Sequence, residues 1–248
     1  MAKDMRRKPH AVMNLPSRQA KGMKIERLLG LSARRQPIRM LDIGTGNGGI
    51  AHYFASHPEI ECEVTSVDLV DQRLVSSGYR FMQVAGPELP FEDGCFDVVI
   101  TNHVIEHVGE RGAQFRHLDE VRRVLATDGV GYLAVPNRWM IVEPHYKLPF
   151  LSWLPRGLRS PYLRLFRKGH EYDCEPLTTG EIEELLSATG FGYRHLNIES
   201  IRVTFEIEGA RGLRRWIGRI PDGWLNRLRR VNPTLIYGLR PVPPRNSR

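Results

Sequence analysis

A chain of 248 residues with 41% hydrophobic side chains can bury the core of one large folded domain, which excludes a disordered linker or a small disulfide-stapled module. Cys62, Cys95 and Cys174 are scattered without metal-ligand spacing, which argues against a zinc ribbon, and free thiols suit a reducing cytosol. Met1–His10 is basic but lacks the apolar stretch of a signal peptide, and there is no run of about 18 apolar residues. The expectation is therefore a cytoplasmic protein that does not span a membrane. The net charge of +8 is concentrated, because from Ile201 onward eleven arginines face three acids.

Gln19–Leu29 reads as a helix with apolar points at Met23, Ile25, Leu28 and Leu29 and a stop at Gly30. Strand and helix patterns then alternate to about Asn137, with strands expected near 38–43, 63–68, 79–84, 96–101 and 129–135. This alternation predicts a doubly wound, Rossmann-like α/β sheet with helices on both faces. Residues 138–176 break the rhythm. They are rich in proline and in aromatics such as Trp139, Tyr146, Phe150 and Trp153, and they follow the fifth strand, where α/β proteins place ligand loops. They are read as a substrate lid. Leu177–Phe191 reads as a helix followed by A-T-G-F. Residues 208–230 read as two short basic helices broken at Pro221. Their apolar stripe is expected to pack on the sheet, although tryptophan with arginine across 211–230 also suits peripheral contact at the inner membrane face.

The chemistry begins at Leu41–Ile50. An apolar strand ends in Asp42, and Gly44, Gly46, Gly48 and Gly49 follow before a helical segment at Ile50–Ser56. Such glycines let the backbone turn sharply and let a ligand approach it. Gly44, Gly46 and Gly49 alone fit a dinucleotide loop. However, Asp42 would repel a pyrophosphate and suits a ligand carrying positive charge. A second acid, Asp68, ends the next strand, where a carboxylate can hold both ribose hydroxyls. The motifs L-P-F-E-D with F-D (Leu89–Asp97), V-I-E-H-V (Val104–Val108) and R-V-L with Gly129 and Pro136-Asn137 come next in order.

Together these elements resemble the class I, seven-strand S-adenosylmethionine-dependent methyltransferases, close to the ubiquinone/menaquinone-biosynthesis type (methyltransferase type 11). The resemblance covers residues 38–137 and continues faintly to a last strand at Pro233–Leu239. It implies one methyltransferase domain over residues 1–248, a leading helix over the cofactor, a lid after strand five and a helical insertion before the last strand. It implies S-adenosylmethionine as cofactor. Gly44, Thr45, Gly46 and their backbone would face its amino-acid part, Asp42 its ammonium, Asp68 its ribose and Leu69 its adenine. Asn102 would sit at the edge of the donor site. Many relatives carry an adenine-binding acid where Ala85 stands, so the Gly86 backbone or Gln83 is expected to make that contact.

Methyl transfer needs donor and acceptor in line, with a base for an acceptor that carries a proton. His103, just after the fourth strand, is the first candidate for that base, and His145 and Tyr146 of the lid are the next. Glu143 and His170 are further polar lid groups, and Arg138 and Lys147 could meet an anionic substrate. Glu106 and His107 read as capping and packing residues. No metal cluster is visible, which predicts metal-independent chemistry. The reading is an O-methyltransferase acting on a small-molecule or lipid/glycan-linked acceptor, with no specific nucleic acid expected. The alternatives are an RNA methyltransferase that uses the basic tail, a NAD-dependent oxidoreductase and a non-catalytic cofactor-binding regulator.

Overall fold

The computed structural model describes residues 14–209 and 232–243. Of the basic helical insertion expected over 208–230, Glu208 ends a helix described below and residues 210–230 lie outside the described residues. Helix α1 (Leu15–Leu29) starts four residues earlier than its apolar pattern suggests, because the Asn14 side chain caps the Ser17 amide and Pro16 occupies the first turn. It ends at Gly30, whose φ of 62° closes the left-handed cap.

The sheet comprises β1 (Ile38–Ile43), β2 (Cys62–Asp68), β3 (Arg80–Gln83), β4 (Phe96–Asn102), β5 (Leu125–Pro136), β8 (Phe191–His195) and β9 (Thr234–Pro241), in the order β3-β2-β1-β4-β5-β9-β8. The first five strands are parallel, and β9 pairs antiparallel with both β5 and β8. This is the expected seven-strand α/β sheet. The central strands carry β-branched and aliphatic runs because both their faces are covered. On one face Ile25, Leu28, Phe54, Val98, Ile100 and Tyr132 pack under α1 and α2 (Gly49–Ala55). On the other, Leu41, Val99, Leu118, Val121, Leu186 and Tyr237 pack with α3 (Arg111–Val124) and α5 (Thr179–Ala188).

Two connections depart from the expected alternation. The β2–β3 and β3–β4 crossovers contain no helix. Instead, Arg73 stacks 4.0 Å above the Phe81 ring and forks onto Asp71 in the first of them. A helix absent from the sequence reading, α6 (Asn197–Glu208), packs against α1, where Arg27 pairs with Glu206 at 3.1 Å.

The spaced motifs turn out to be structural pairs. Asp97 takes a two-pronged grip from Arg39 at 2.7 and 3.0 Å and ties β4 to β1. Arg123 donates to the carbonyls of Leu89 and Phe91 and to Asp93 and Glu120, all within 2.9 Å. The L-P-F-E-D loop is thus held by the R-V-L helix end. Removing this guanidinium takes the charged donor from both carbonyls and from Glu120, leaving Leu89 O with the Phe91 amide and Glu120 with the Leu89 amide. Arg123→Ala should therefore lower unfolding stability by about 2 kcal/mol in chemical denaturation, and a loss below about 0.5 kcal/mol would show the contacts to be idle.

The segment after β5 folds as a small unit with its own core. A hairpin of β6 (Val142–Glu143) and β7 (Leu148–Pro149) leads to α4 (Arg156–Leu165), and Tyr146, Leu148, Leu151 and Leu163 pack together between them.

Candidate active site

The parallel register brings the carboxyl ends of β1, β2 and β4 to one edge of the sheet, with Ile43 level with Val67 and Thr101. The glycine loop crosses this edge. Gly44, Gly46 and Gly48 all have positive φ, and a Cβ on Gly44 would run into Val104. No other residue fits there without strain. Gly44 N donates to Val67 O at 2.8 Å, and Gly48 N returns to Thr45 O at 3.0 Å.

Two carboxylates hold the loop. Asp42 is buried and accepts the Thr45 hydroxyl at 2.8 Å. Burial is the main force that pushes Asp42 up to about 7, with Asp68 adding to the rise and Thr45 and Arg18 opposing it. Arg18 comes from α1, whose side chain lies against Gly49, so the leading helix covers the loop. Asp68 accepts the Gly46 amide at 2.8 Å and the Leu69 amide at 2.7 Å. Leu69 beside it is half exposed and free to lie against a ring. Gln83 spends its amide on Leu69 O at 2.8 Å, while a Cβ on Gly86 would meet open space. Both substitutes for the missing acid at Ala85 keep an acceptor, Gln83 through its side-chain Oε1 and Gly86 through its backbone carbonyl.

At the end of β4, Asn102 Oδ1 is buried without a hydrogen-bond partner among the described residues, a vacancy for a ligand donor. His103 follows with a φ of 60°, a conformation that costs a non-glycine residue energy and is typical of functional turns. Its Nδ1 lies 3.2 Å from Glu106 Oε1. Glu106 is fully buried. Burial opposes its charge, but the His103 hydrogen bond and the nearby His103 and His107 overcome this and hold its pKa below the ordinary value. An ionised carboxylate only accepts, so His103 Nδ1 is the donor in this contact. Glu106 therefore does more than the packing expected of it.

Residues 41–133 match the family model described as a methyltransferase domain. Over these residues the chain carries a methyltransferase domain. It is 29% identical over 180 residues to malonyl-[acyl-carrier protein] O-methyltransferase of Geobacter sulfurreducens, covering 67% of this chain and 61% of that protein. It is 26% identical to the ubiquinone/menaquinone biosynthesis C-methyltransferase of Xylella fastidiosa, covering 64% of this chain and 68% of that one. The chain spans about three fifths of the first relative's length. The plantazolicin methyltransferase structure, a complex with a substrate analogue and S-adenosylhomocysteine, superposes with a TM-score of 0.57 at 16% identity, covering 92% of this chain and 85% of that one, and it shares the fold.

S-adenosylmethionine is the cofactor of this methyltransferase domain. The residues present fit it, since the orphaned Asn102 oxygen, the buried Asp42 and the glycine cradle converge on one edge. A groove of about 810 Å³ opens at the amino ends of the strands, lined by Arg39, Thr65, Arg80 and Phe91 among others, and contains none of the predicted site residues.

The lid residues divide. Tyr146 was a catalytic candidate, but the structure places its ring in the lid's core, with its hydroxyl 3.3 Å from both Glu171 O and Asp173 Oδ1. Burial pushes its pKa above the ordinary tyrosine value. His145 Nδ1 lies 2.7 Å from Glu143, which is itself buried and also accepts the Tyr146 amide. Burial disfavours the His145 cation, yet Glu143, Glu106 and Asp173 outweigh it and raise its pKa. Arg138 is committed to Glu181 at 3.0 Å and to Pro176 O, so it is not an open anion site. Lys147 and His170 are exposed on the lid surface.

Asp42 supplies a pH test. In the role that the resemblance implies, Asp42 meets the cofactor's ammonium as a carboxylate, which burial keeps largely protonated below pH 7. Affinity for S-adenosylmethionine should rise about tenfold between roughly pH 6 and 7.5 and should be flat in Asp42→Asn, as read by calorimetry. An equal slope in both proteins would remove Asp42 from the ammonium site.

Proposed function

We propose that this chain is an O-methyltransferase whose acceptor proton is taken by His103. The observation that carries the proposal is the His103–Glu106 pair at the end of β4, next to the orphaned Asn102 oxygen. In this reading Gly44, Thr45, Gly46 and Asn102 hold the amino-acid part of the cofactor, Asp42 its ammonium, Asp68 its ribose, and Leu69 and Gly86 its adenine.

Bound S-adenosylmethionine supplies a methyl group already activated by its sulfonium. The protein's task is to align the acceptor and manage its proton. His103 Nε2 takes that proton as the acceptor oxygen forms its bond to the methyl carbon. Glu106 fixes the ring tautomer and stabilises the imidazolium that results. The products are the methylated oxygen, S-adenosylhomocysteine and one proton, which His103 then gives to water.

The acceptor in this proposal is a small molecule carried on a lipid or a carrier arm. Trp139, Phe150 and Trp153 form an exposed aromatic cluster on the lid, with ring centroids 5.1–5.5 Å apart. Such a surface suits an apolar tether. Two of the similar proteins are named as O-methyltransferases, one of malonyl-acyl-carrier protein and one of ubiquinone biosynthesis in Caulobacter.

The test is a screen of hydroxylated lipid-linked sugars and quinone precursors followed by His103→Ala. Turnover should fall by about 10²–10⁴-fold while cofactor affinity changes little. An equal loss of turnover and cofactor affinity would make His103 a structural residue.

A further inference from the structure

The exit of the lid folds back onto the turn after β4. The Glu175 amide donates to Glu106 O at 2.8 Å, and Gln114 Nε2 donates to Glu175 O at 3.0 Å. This seats Asp173 and Cys174 beside His107. Three atoms with metal-binding chemistry converge there. His107 Nδ1 is 3.8 Å from Cys174 Sγ, Asp173 Oδ1 is 3.7 Å from the same sulfur, and ligand atoms of all three residues lie within 4.8 Å of one another. A tetrahedral zinc ion, with bonds of about 2.3 Å to sulfur and 2.0–2.1 Å to nitrogen or oxygen, sets its ligand atoms roughly 3.5 Å apart. The edges at sulfur are within a few tenths of an ångström of that spacing.

We propose that His107, Asp173 and Cys174 bind one divalent transition-metal ion of the zinc class. A second observation points the same way. Glu106 is fully buried and its Oε2 has no hydrogen-bond partner among the described residues. Glu143 is 1% exposed, and its ion pair among the described residues is with His145. Carboxylate oxygens of Asp173 and of Glu143 lie within 4.8 Å of the Cys174 sulfur. The sulfur is thus flanked by carboxylates that a cation would balance.

The donor set selects the ion. Thiolate and imidazole suit zinc and its neighbours, whereas magnesium and calcium take oxygen ligands. Glu143 and His145 are 2.7 Å apart, a hydrogen-bond distance shorter than the edge between two ligands, so this pair supports the site from outside it. The fourth coordination position is left to water. His107 is 25% exposed, which gives the ion a way in. On binding, Cys174 releases its proton to solvent and the thiolate bonds the metal. The ion would join residues 67 positions apart and fasten the lid to the β4 turn.

The test uses the tag-free full chain, stripped with chelator and titrated with Co²⁺ and then Zn²⁺, with no cofactor present. The expected result is one ion per chain, a thiolate-to-cobalt charge-transfer band that Zn²⁺ displaces, and a higher melting temperature with Zn²⁺. The band should vanish in Cys174→Ser and weaken at least tenfold in affinity in Asp173→Asn, a variant that keeps the side chain's shape. Cys62→Ser and Cys95→Ser should leave it intact. Absence of binding, or a band that survives Cys174→Ser, would overturn the proposal. Because the readout needs no methyl transfer, its failure is separate from failure of the methyltransferase reading.

Discussion

Two acids on adjacent strand ends set the terms for the rest of the molecule. Asp42 and Asp68 lie at the carboxyl ends of neighbouring parallel strands, and the glycine loop that follows β1 is tied to both. Each anchors that loop, Asp42 through the Thr45 hydroxyl and Asp68 through the Gly46 amide. The arrangement gives the edge its shape and its charge at once. Burial is the main force opposing ionisation of Asp42, and the nearby Asp68 adds to it. A cationic ligand relieves that tension, whereas a pyrophosphate would increase it. The same glycine spacing thus serves a methyl donor here and would serve a dinucleotide badly.

The second organising carboxylate is Glu106. It lies at the turn after β4 and faces two ways. Its side chain hydrogen-bonds His103, and its backbone carbonyl receives the Glu175 amide from the end of the inserted unit. The turn after β4 and that unit are therefore joined through one residue. Arg123 works similarly on the other side of β4, where it binds the L-P-F-E-D loop to α3. The family's motifs are spaced in sequence because each is one half of such a contact.

What could be read in advance follows from how local the signal is. Strands β1 to β5 were legible as apolar runs between glycine and polar breaks, and each lies within a few residues of its expected place. The cofactor loop was legible because its acid, glycines and helix start are consecutive. Helix α6 was not, because Ile201, Val203, Phe205 and Ile207 recur at every second residue and imitate a strand. The helix-free β2–β3 crossover was missed because Arg73 does by stacking what a helix would do by packing. Tyr146 looked catalytic because sequence shows a polar aromatic in a lid but not that the lid has a core of its own. Cys174 carried no signal at all. Its partner His107 is 67 residues away, and a backbone hydrogen bond at Glu175 brings them together.

The most direct measurement is calorimetric titration of the purified chain with S-adenosylmethionine, S-adenosylhomocysteine and NAD, repeated on Asp68→Ala. The account predicts micromolar binding of the first two, no binding of NAD, and at least a tenfold loss in the variant, whose glycine loop loses its Gly46 anchor along with the ribose contact. Binding of NAD alone, or affinity for S-adenosylmethionine unchanged by Asp68→Ala, would contradict it.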